Sequence, residues 1–350
     1  MPALLNPIPE PDLARYPSCI VCGNARLSEL AGTRQMATEA RHREQVFRRL
    51  VPPETPGYML KDRAYPTQAY DARLVVCDRC GTLARDPHLS AEGSADRYAR
   101  DAYHPAWLES TYREFVAAFD ARMPELVRWV GPTARVLEIG SFVGGFLASA
   151  QKHGWRAEGV DVGQCVSRFA RSKGLKVHEG SLEQTRFPDR TFDAVFVWFC
   201  FDQLAEPWET LREIYRVLKD DGRLLIRVPN GEFVERVQRL ERWTSSDGLH
   251  ERLRNLLAYS GLAGFPFQVG YTPSSLTGML EDSGFTSVHV KNRINVRGSS
   301  SAALRLVHVG SQILDHATFG AVKWGPWIEA SCTKTGHAVA GNELLTCCVA

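Results

Sequence analysis

The sequence predicts an α/β protein: a mostly parallel sheet with helices on both faces, preceded by a small four-cysteine module. Three observations predict it. Short apolar runs alternate with helical patterns from Arg135 to Val228, and the first of these runs ends in a glycine-bearing turn. Two Cys-x-x-Cys pairs, Cys19/Cys22 and Cys77/Cys80, stand well ahead of that region. The composition agrees, since 350 residues with 44% hydrophobic and 23% charged content suit a globular chain larger than one typical domain.

Turn-forming residues interrupt the apolar pattern near Asp86 and Gly131, which divides the chain into three regions. Residues 1–86 hold both cysteine pairs, separated by an Arg-rich helical stretch and a Pro-rich loop; they are expected to form a zinc-binding module. Residues 87–131 are aromatic and helical, with Phe115, Phe119, Met123, Leu126 and Val130 near helical spacing, and read as a linker or lid. Residues 132–350 form the sheet domain. Its strands are expected at Arg135–Ile139, Ala157–Val160, Lys176–Glu179, Phe192–Phe199 and Arg223–Val228, with a helix at Phe146–His153. Leu211, Ile214, Tyr215 and Leu218 give a further helix one apolar face. Beyond Asn230, helices are expected at Phe233–Trp243 and Ser274–Ser283, the latter capped by Thr272, begun by Pro273 and ended by Gly284. Two more strands are expected at Ser287–Val296 and Leu344–Val349. Substrate-side insertions are placed near 231–272 and 298–340.

A formal net charge of +2 gives no general attraction to polyanions, and the Arg41–Arg49 cluster reads as a solvated helix face. Nucleic acid is therefore not an expected partner. No basic stretch followed by a long apolar run opens the chain, and the longest apolar run, Ala194–Phe201, is too short to cross a bilayer. A soluble, cytoplasmic protein without a membrane partner is expected.

The chemically informative segment is Val136-Leu137-Glu138-Ile139-Gly140-Ser141-Phe142-Val143-Gly144-Gly145, a strand entering a helix through a glycine turn. A dinucleotide site wants glycines two and five residues after Gly140; Gly145 fits and Phe142 does not. No Lys-Ser or Lys-Thr follows, so the phosphate-cradling loop of nucleotide hydrolases is absent too. The alternative reading is that the glycines only permit tight packing of helix on strand.

From Tyr98 to Phe285 the sequence resembles class I S-adenosylmethionine-dependent methyltransferases. Their first motif, Glu/Asp-x-Gly-x-x-x-Gly, is matched by Glu138, Gly140 and Gly144; Asp161 stands where the family places the acid that accepts from the ribose hydroxyls. Glu179-Gly180-Ser181-Leu182-Glu183 is similar to the adenine-contacting segment, with Ser181 where Asp is common. Phe192-Asp193-Ala194-Val195 and Leu218 to Ile226, followed by Pro229-Asn230, match the fourth and fifth strands. The resemblance implies a Rossmann-like seven-stranded sheet whose last strand is antiparallel. It implies S-adenosylmethionine as cofactor, held by Glu138, Gly140, Ser141, Phe142, Gly144, Asp161, Val162, Ser181, Leu182, Glu183 and Trp198.

The cysteine pairs share a two-residue gap and a following glycine, a spacing that lets four thiolates surround one tetrahedral ion. Cys19, Cys22, Cys77 and Cys80 are thus expected to bind a structural zinc, with dithiol redox chemistry as the competing reading. Part of the family carries such a module ahead of its core, many of these members acting on sugars or other small metabolites. The remaining cysteines have no partner spacing and read as buried apolar residues.

Methyl transfer needs an aligned nucleophile, exclusion of water and sometimes a base. The end of the fourth strand puts Trp198, Phe199, Phe201 and Gln203 near the acceptor, and Asp202-Gln203 stands where many relatives carry a histidine, a base that Gln203 cannot replace. Candidate bases are His104, His250 and Tyr271, with Phe265-Pro266-Phe267 as pocket wall. Methylation of a small-molecule acceptor, at oxygen in preference to nitrogen or carbon, is the expected function. The alternatives are nucleic-acid methylation and cofactor binding without transfer. Against the first of these, the fourth strand lacks the Asn/Asp-Pro-Pro-Tyr/Phe that holds a flipped base.

Overall fold

The structure, a computed structural model, describes residues 12–49, 52–60, 70–243, 247–260, 268–293 and 325–335. The chain opens with β1 (Leu13–Ala14), β2 (Leu27–Ala31) and α1 (Thr33–Arg49), and continues through β3 (Arg73–Cys77), β4 (Leu83–Asp86) and β5 (His88–Leu89). Strands β2, β3 and β4 pair antiparallel, so the second cysteine pair occupies the β3–β4 turn while the first precedes β2. Three helices follow: α2 (Ala91–Arg100), α3 (Pro105–Asp120) and α4 (Met123–Val130). Ser90 caps α2 by accepting from Gly93 N at 2.9 Å, and Gly131, at φ 127°, ends α4.

The alternating region then builds β6 (Arg135–Ile139), α5 (Gly145–Lys152), β7 (Arg156–Asp161), α6 (Gln164–Ser172), β8 (Lys176–Glu179), α7 (Leu182–Thr185), β9 (Phe192–Trp198), α8 (Pro207–Val217) and β10 (Leu218–Pro229). After it come α9 (Gly231–Trp243), α10 (Asp247–Ser260), β11 (Val269–Gly270), α11 (Pro273–Asp282), β12 (Phe285–Arg293) and β13 (Trp327–Lys334). Seven strands form one sheet in the order β12-β13-β10-β9-β6-β7-β8. Strands β6 to β10 run parallel, and β13 runs antiparallel to both β10 and β12. This is the expected α/β class. The chain turns from one side of β6 to the other between β8 and β9, which opens a crevice at the carboxyl ends of the strands.

Strand β9 reads Phe-Asp-Ala-Val-Phe-Val-Trp because both of its faces are covered. Val195 and Val197 pack with Leu211, Ile214 and Leu276 on one side; Ala194, Phe196 and Trp198 pack with Met123, Leu126 and Phe146 on the other. At roughly 1.5–3 kcal/mol per large buried side chain, this sandwich supplies the main cohesion that holds the crevice residues in place.

Three expectations need correction. The antiparallel strand of the sheet is β13, inside the 298–340 stretch read as an irregular insertion; Leu344–Val349 lies outside the described residues. Charge in Trp327–Lys334 hid the strand, because Glu329 is buried against Arg122 and the buried Lys334 ammonium donates to the carbonyls of Tyr215 and Leu218, both at 2.8 Å. None of the described residues of the 231–272 insertion lines the crevice: Phe233, Val234, Val237 and Leu253 share a core with Leu30, Met36, Leu74 and Leu83, and β11 pairs with β4. Lastly, the Arg-rich helix is not a fully solvated face: Arg43 is buried, and His42 meets Asn255 of α10 at 2.9 Å. Among the described residues, no helix is long and apolar enough to cross a membrane.

Candidate functional site

The turn between β6 and α5 is tied to the neighbouring strand, since Gly140 N and Ser141 N both donate to the Val160 carbonyl, at 2.9 and 3.1 Å. Gly140 sits at φ 70°, and a Cβ there would lie 2.7 Å from the Cys200 side chain. Glycine thus allows both the turn and the close approach of the segment after β9. Gly144 is not in the cavity wall; at φ 79° it closes the turn, its N–H donating to Ser141 O at 2.8 Å, and a Cβ there would meet Leu175 Cδ1 at 2.4 Å. Phe142 adopts φ 49°, a conformation rare for an aromatic residue, and its N–H donates to Asp161 Oδ2 at 2.7 Å. Gly163 N donates to Asp161 Oδ1, also at 2.7 Å. Burial pushes the Asp161 carboxyl up to about 6, and the two amides oppose the rise.

A cavity of about 710 Å³ lies at the carboxyl ends of β6, β7 and β9, and it collects Glu138, Gly140, Ser141, Phe142, Asp161, Val162, Ser181, Leu182, Glu183 and Trp198. These are the expected cofactor residues apart from Gly144. The lining also contains polar atoms without partners. Glu138 Oε2, Ser141 Oγ, Trp198 Nε1 and Trp107 Nε1 are buried and make no hydrogen bond among the described residues. Such orphaned groups call for a ligand. Burial, reinforced by the nearby Asp161, drives the Glu138 carboxyl well above its usual range, and a cationic ligand would reverse that.

The candidate bases fare differently. His104 is exposed at the start of α3, where its Nδ1 accepts from Ala106 N at 3.2 Å, and it does not line the cavity. His250 lies on α10, its Nε2 at 2.8 Å from the Glu241 carbonyl, over the N-terminal module. Tyr271 is fully buried with its ring centroid 5.2 Å from that of Phe201, and it also stays out of the cavity wall. Chain order suggested all three, and the fold brings none of them to the cavity. It brings Arg97, Tyr98, Asp101, Tyr103, Trp107, Cys200 and Trp327 there instead, beside the expected Phe199 and Gln203, whereas Phe201 is buried and not part of the wall. The α2 contribution was legible only as a possible lid. Trp327 carried no sequence signal, because it arrives on the unrecognised β13. Phe265-Pro266-Phe267 lies outside the described residues.

The four cysteines converge. Their sulfurs all lie within 4.8 Å of one another, with Cys19 to Cys80 and Cys22 to Cys77 each at 3.6 Å. The two knuckles have the same form: Gly23 N donates to Cys19 O at 2.8 Å and Gly81 N to Cys77 O at 2.9 Å, both glycines at φ 70°. The side chains are free thiols. The module is also anchored to the core, since Trp208 Nε1 donates to Ile20 O at 2.7 Å and Thr272 Oγ1 to Cys80 O at 3.2 Å. Of the other described cysteines, Cys332 is buried as expected, whereas Cys165 and Cys200 are half-buried at the cavity.

A family model described as a methyltransferase domain matches residues 107–290. The uncharacterized methyltransferase YcgJ of Bacillus subtilis is 31% identical over 99 residues, 26% of this chain and 39% of that protein. The ubiquinone/menaquinone biosynthesis C-methyltransferase UbiE of Escherichia fergusonii is 32% identical over 146 residues, 38% of this chain and 57% of that protein. The chain thus spans well under two thirds of the length of these relatives. A crystal structure of a SAM-dependent methyltransferase from Archaeoglobus fulgidus overlaps at 20% identity and a TM-score of 0.43, covering 63% of this chain and 94% of that one. The family match extends over more than half of the chain and includes the glycine turn, the acid after β7 and the strands that carry them. The chain therefore belongs to the class I S-adenosylmethionine-dependent methyltransferase family.

Proposed function

We propose that this protein transfers a methyl group from S-adenosylmethionine to a small-molecule acceptor, with oxygen as the favoured atom, and that its four-cysteine module holds a structural zinc. One observation carries the transferase reading: Glu138 and Asp161, on adjacent strands, present a buried and a half-buried carboxyl to one cavity, and an oxygen of Glu138 lacks any partner among the described residues. Glu138 would receive the ammonium group of the cofactor and Asp161 its ribose hydroxyls, while Ser181, Leu182 and Glu183 would flank the adenine. When bound, the cofactor supplies a methyl group activated on a sulfonium sulfur. The protein itself orients the acceptor and excludes water.

Tyr103, Trp107, Phe115, Trp198, Phe199 and Trp327 make much of the wall aromatic, which suits an acceptor with a planar or apolar body. Asp101, Glu183, Glu206 and Glu209 line it too, against Arg97 as the cation, which disfavours a phosphate-rich acceptor and with it nucleic acid. No histidine lines the cavity among the described residues. An acceptor oxygen acidic enough to ionise without a histidine base fits that wall. Methylation at a ring carbon is a second reading, favoured by the similarity to UbiE, a C-methyltransferase, with a carboxylate of the wall to take the ring proton.

The donor set fits zinc: four soft thiols, and a tetrahedron of sulfurs about 2.3 Å from an ion has edges of about 3.8 Å. The observed 3.6 Å separations are close to that. Four thiolates leave no open position, so the metal's role would be structural.

The experiment is calorimetry with S-adenosylmethionine and S-adenosylhomocysteine, followed by transfer from methyl-labelled cofactor across a panel of phenolic, enolic and sugar acceptors. Heat with both ligands and label in a panel member are expected. No heat with either ligand would refute the cofactor site, and binding without transfer to any acceptor would favour a cofactor-binding protein that is not a transferase. Label in RNA or DNA instead would refute the small-molecule reading.

A further inference from the structure

We infer that Tyr98 and Gln203 form a neutral hydrogen-bonded latch that positions α2 over the cavity. The inference rests on the proposed cofactor site and adds a residue pair that no cofactor motif includes. Helix α2 contributes Ala91, Ser94, Ala95, Arg97 and Tyr98 to the cavity wall, yet none of its residues is buried. A helix is ordinarily held by an apolar stripe pressed into a core, and α2 lacks one. Its amino end is tied down where Ser90 N donates to Asp12 O at 3.0 Å, and its flank touches α6. Its carboxyl half reaches across the cavity through the Tyr98 hydroxyl, which donates to Gln203 Oε1.

The donor and acceptor roles follow from the surroundings. Gln203 Nε2 donates to the Phe199 carbonyl at 2.8 Å, and a carbonyl can only accept, so the amide oxygen is the end that faces Tyr98. Tyr98 must then be the donor. Loss of hydration around the half-buried Tyr98 ring drives its phenol far above the usual range, so the hydroxyl keeps its proton and the pair stays uncharged. Gln203 is the rigid side of the contact. It ends the 3-10 turn Phe201–Gln203, where its N–H donates to Cys200 O at 2.9 Å, and Phe199 N donates to Arg227 O of β10, also at 2.9 Å. The movable partner is α2. Gln203 cannot act as a base, and what it does instead is hold Tyr98, and through Tyr98 the helix that closes the site. Tyr98 is a positioning residue in this account, and no proton moves through it.

Two measurements on the full chain test this. The first is hydrogen exchange of the α2 amides without ligand, in wild type, Tyr98→Phe, Gln203→Ala and the double variant. The second is the dissociation rate of S-adenosylhomocysteine by stopped-flow tryptophan fluorescence, since Trp107, Trp198 and Trp327 line the cavity. Each single variant should speed both exchange and dissociation by about 3- to 10-fold, the range of one net hydrogen bond, with unchanged thermal unfolding. The double variant should be no faster than either single, which a merely structural loss at two separate places would not produce. Unchanged rates, fully additive effects, or faster exchange with unaltered dissociation would each overturn the latch. Should Tyr98→Phe fail to fold, Gln203→Ala decides alone. If wild type shows no response to S-adenosylhomocysteine, the cofactor reading fails, and the exchange comparison still decides whether Tyr98 and Gln203 hold the helix.

Discussion

Asp161→Asn tests the ligand role of this carboxylate, provided its structural cost is measured beside it. An ionised carboxyl offers about four lone-pair positions, and the N–H groups of Phe142 and Gly163 take two of them. The remaining two can accept from hydroxyl donors in the cavity. Asparagine keeps one oxygen and turns the other position into a donor, so one of the two backbone bonds is lost along with at least one charge-assisted bond to the ligand, the latter about 1.5–3 kcal/mol. That corresponds to roughly a 10- to 150-fold rise in Kd. The assay is calorimetric titration with S-adenosylhomocysteine at neutral pH and at steps below it. The free Asp161 carboxyl is pushed up to about 6 and the ligand needs it ionised, so below that value this group weakens wild-type binding by up to about tenfold per pH unit, in addition to any acid limb set by the raised Glu138 carboxyl. The variant should lose the Asp161 share of that dependence and be less steep than wild type. A variant that binds as tightly as wild type, or with an unchanged pH profile, would show that Asp161 does not touch the ligand.

Asp202 should make the fold less stable as pH rises. It is fully buried, its carboxyl oxygens have no hydrogen-bond partner among the described residues, and burial pushes its pKa from 3.8 to about 7. Between those values the native state binds more protons than the unfolded one, so this group removes up to about 1.4 kcal/mol of stability per unit of rising pH. Asp202→Asn should flatten that decline in urea titrations, and an unchanged slope would count against it. Gly144→Ala should cost about 1–3 kcal/mol of unfolding free energy, because the added methyl group would lie 2.4 Å from Leu175 Cδ1 at a positive φ. Wild-type stability in that variant would show that the turn relaxes freely. Elemental analysis should find near one zinc per chain, and Cys77→Ser should lose both the metal and the folding of its module. A metal-free preparation of equal stability would refute the zinc assignment.

What the sequence determined by itself were features set by local rules. Two-residue cysteine spacing, the glycine turn after Ile139, the acid after Val160 and the alternation of buried strands with amphipathic helices are all short-range patterns. They predicted the sheet class, and every expected cofactor residue except Gly144 lines one cavity. Gly144 stands outside that wall: a motif records that glycine is required and not why, and the structure supplies two reasons, its left-handed φ of 79° and the approach of Leu175. The tertiary structure alone decided what depends on pairing between distant segments. Strand β13 is held through charges neutralised by Arg122 and by backbone carbonyls, so its hydrophobic pattern could not announce it. Helix α9 joined the N-terminal core because its apolar face is completed by β2, β3 and α1, far away in sequence. The same holds for the cavity wall, where Tyr98 and Gln203 meet across 105 residues. Periodicity is written along the chain, whereas burial of a charge or closure of a helix over a cavity is fixed by whichever partners the fold brings within reach.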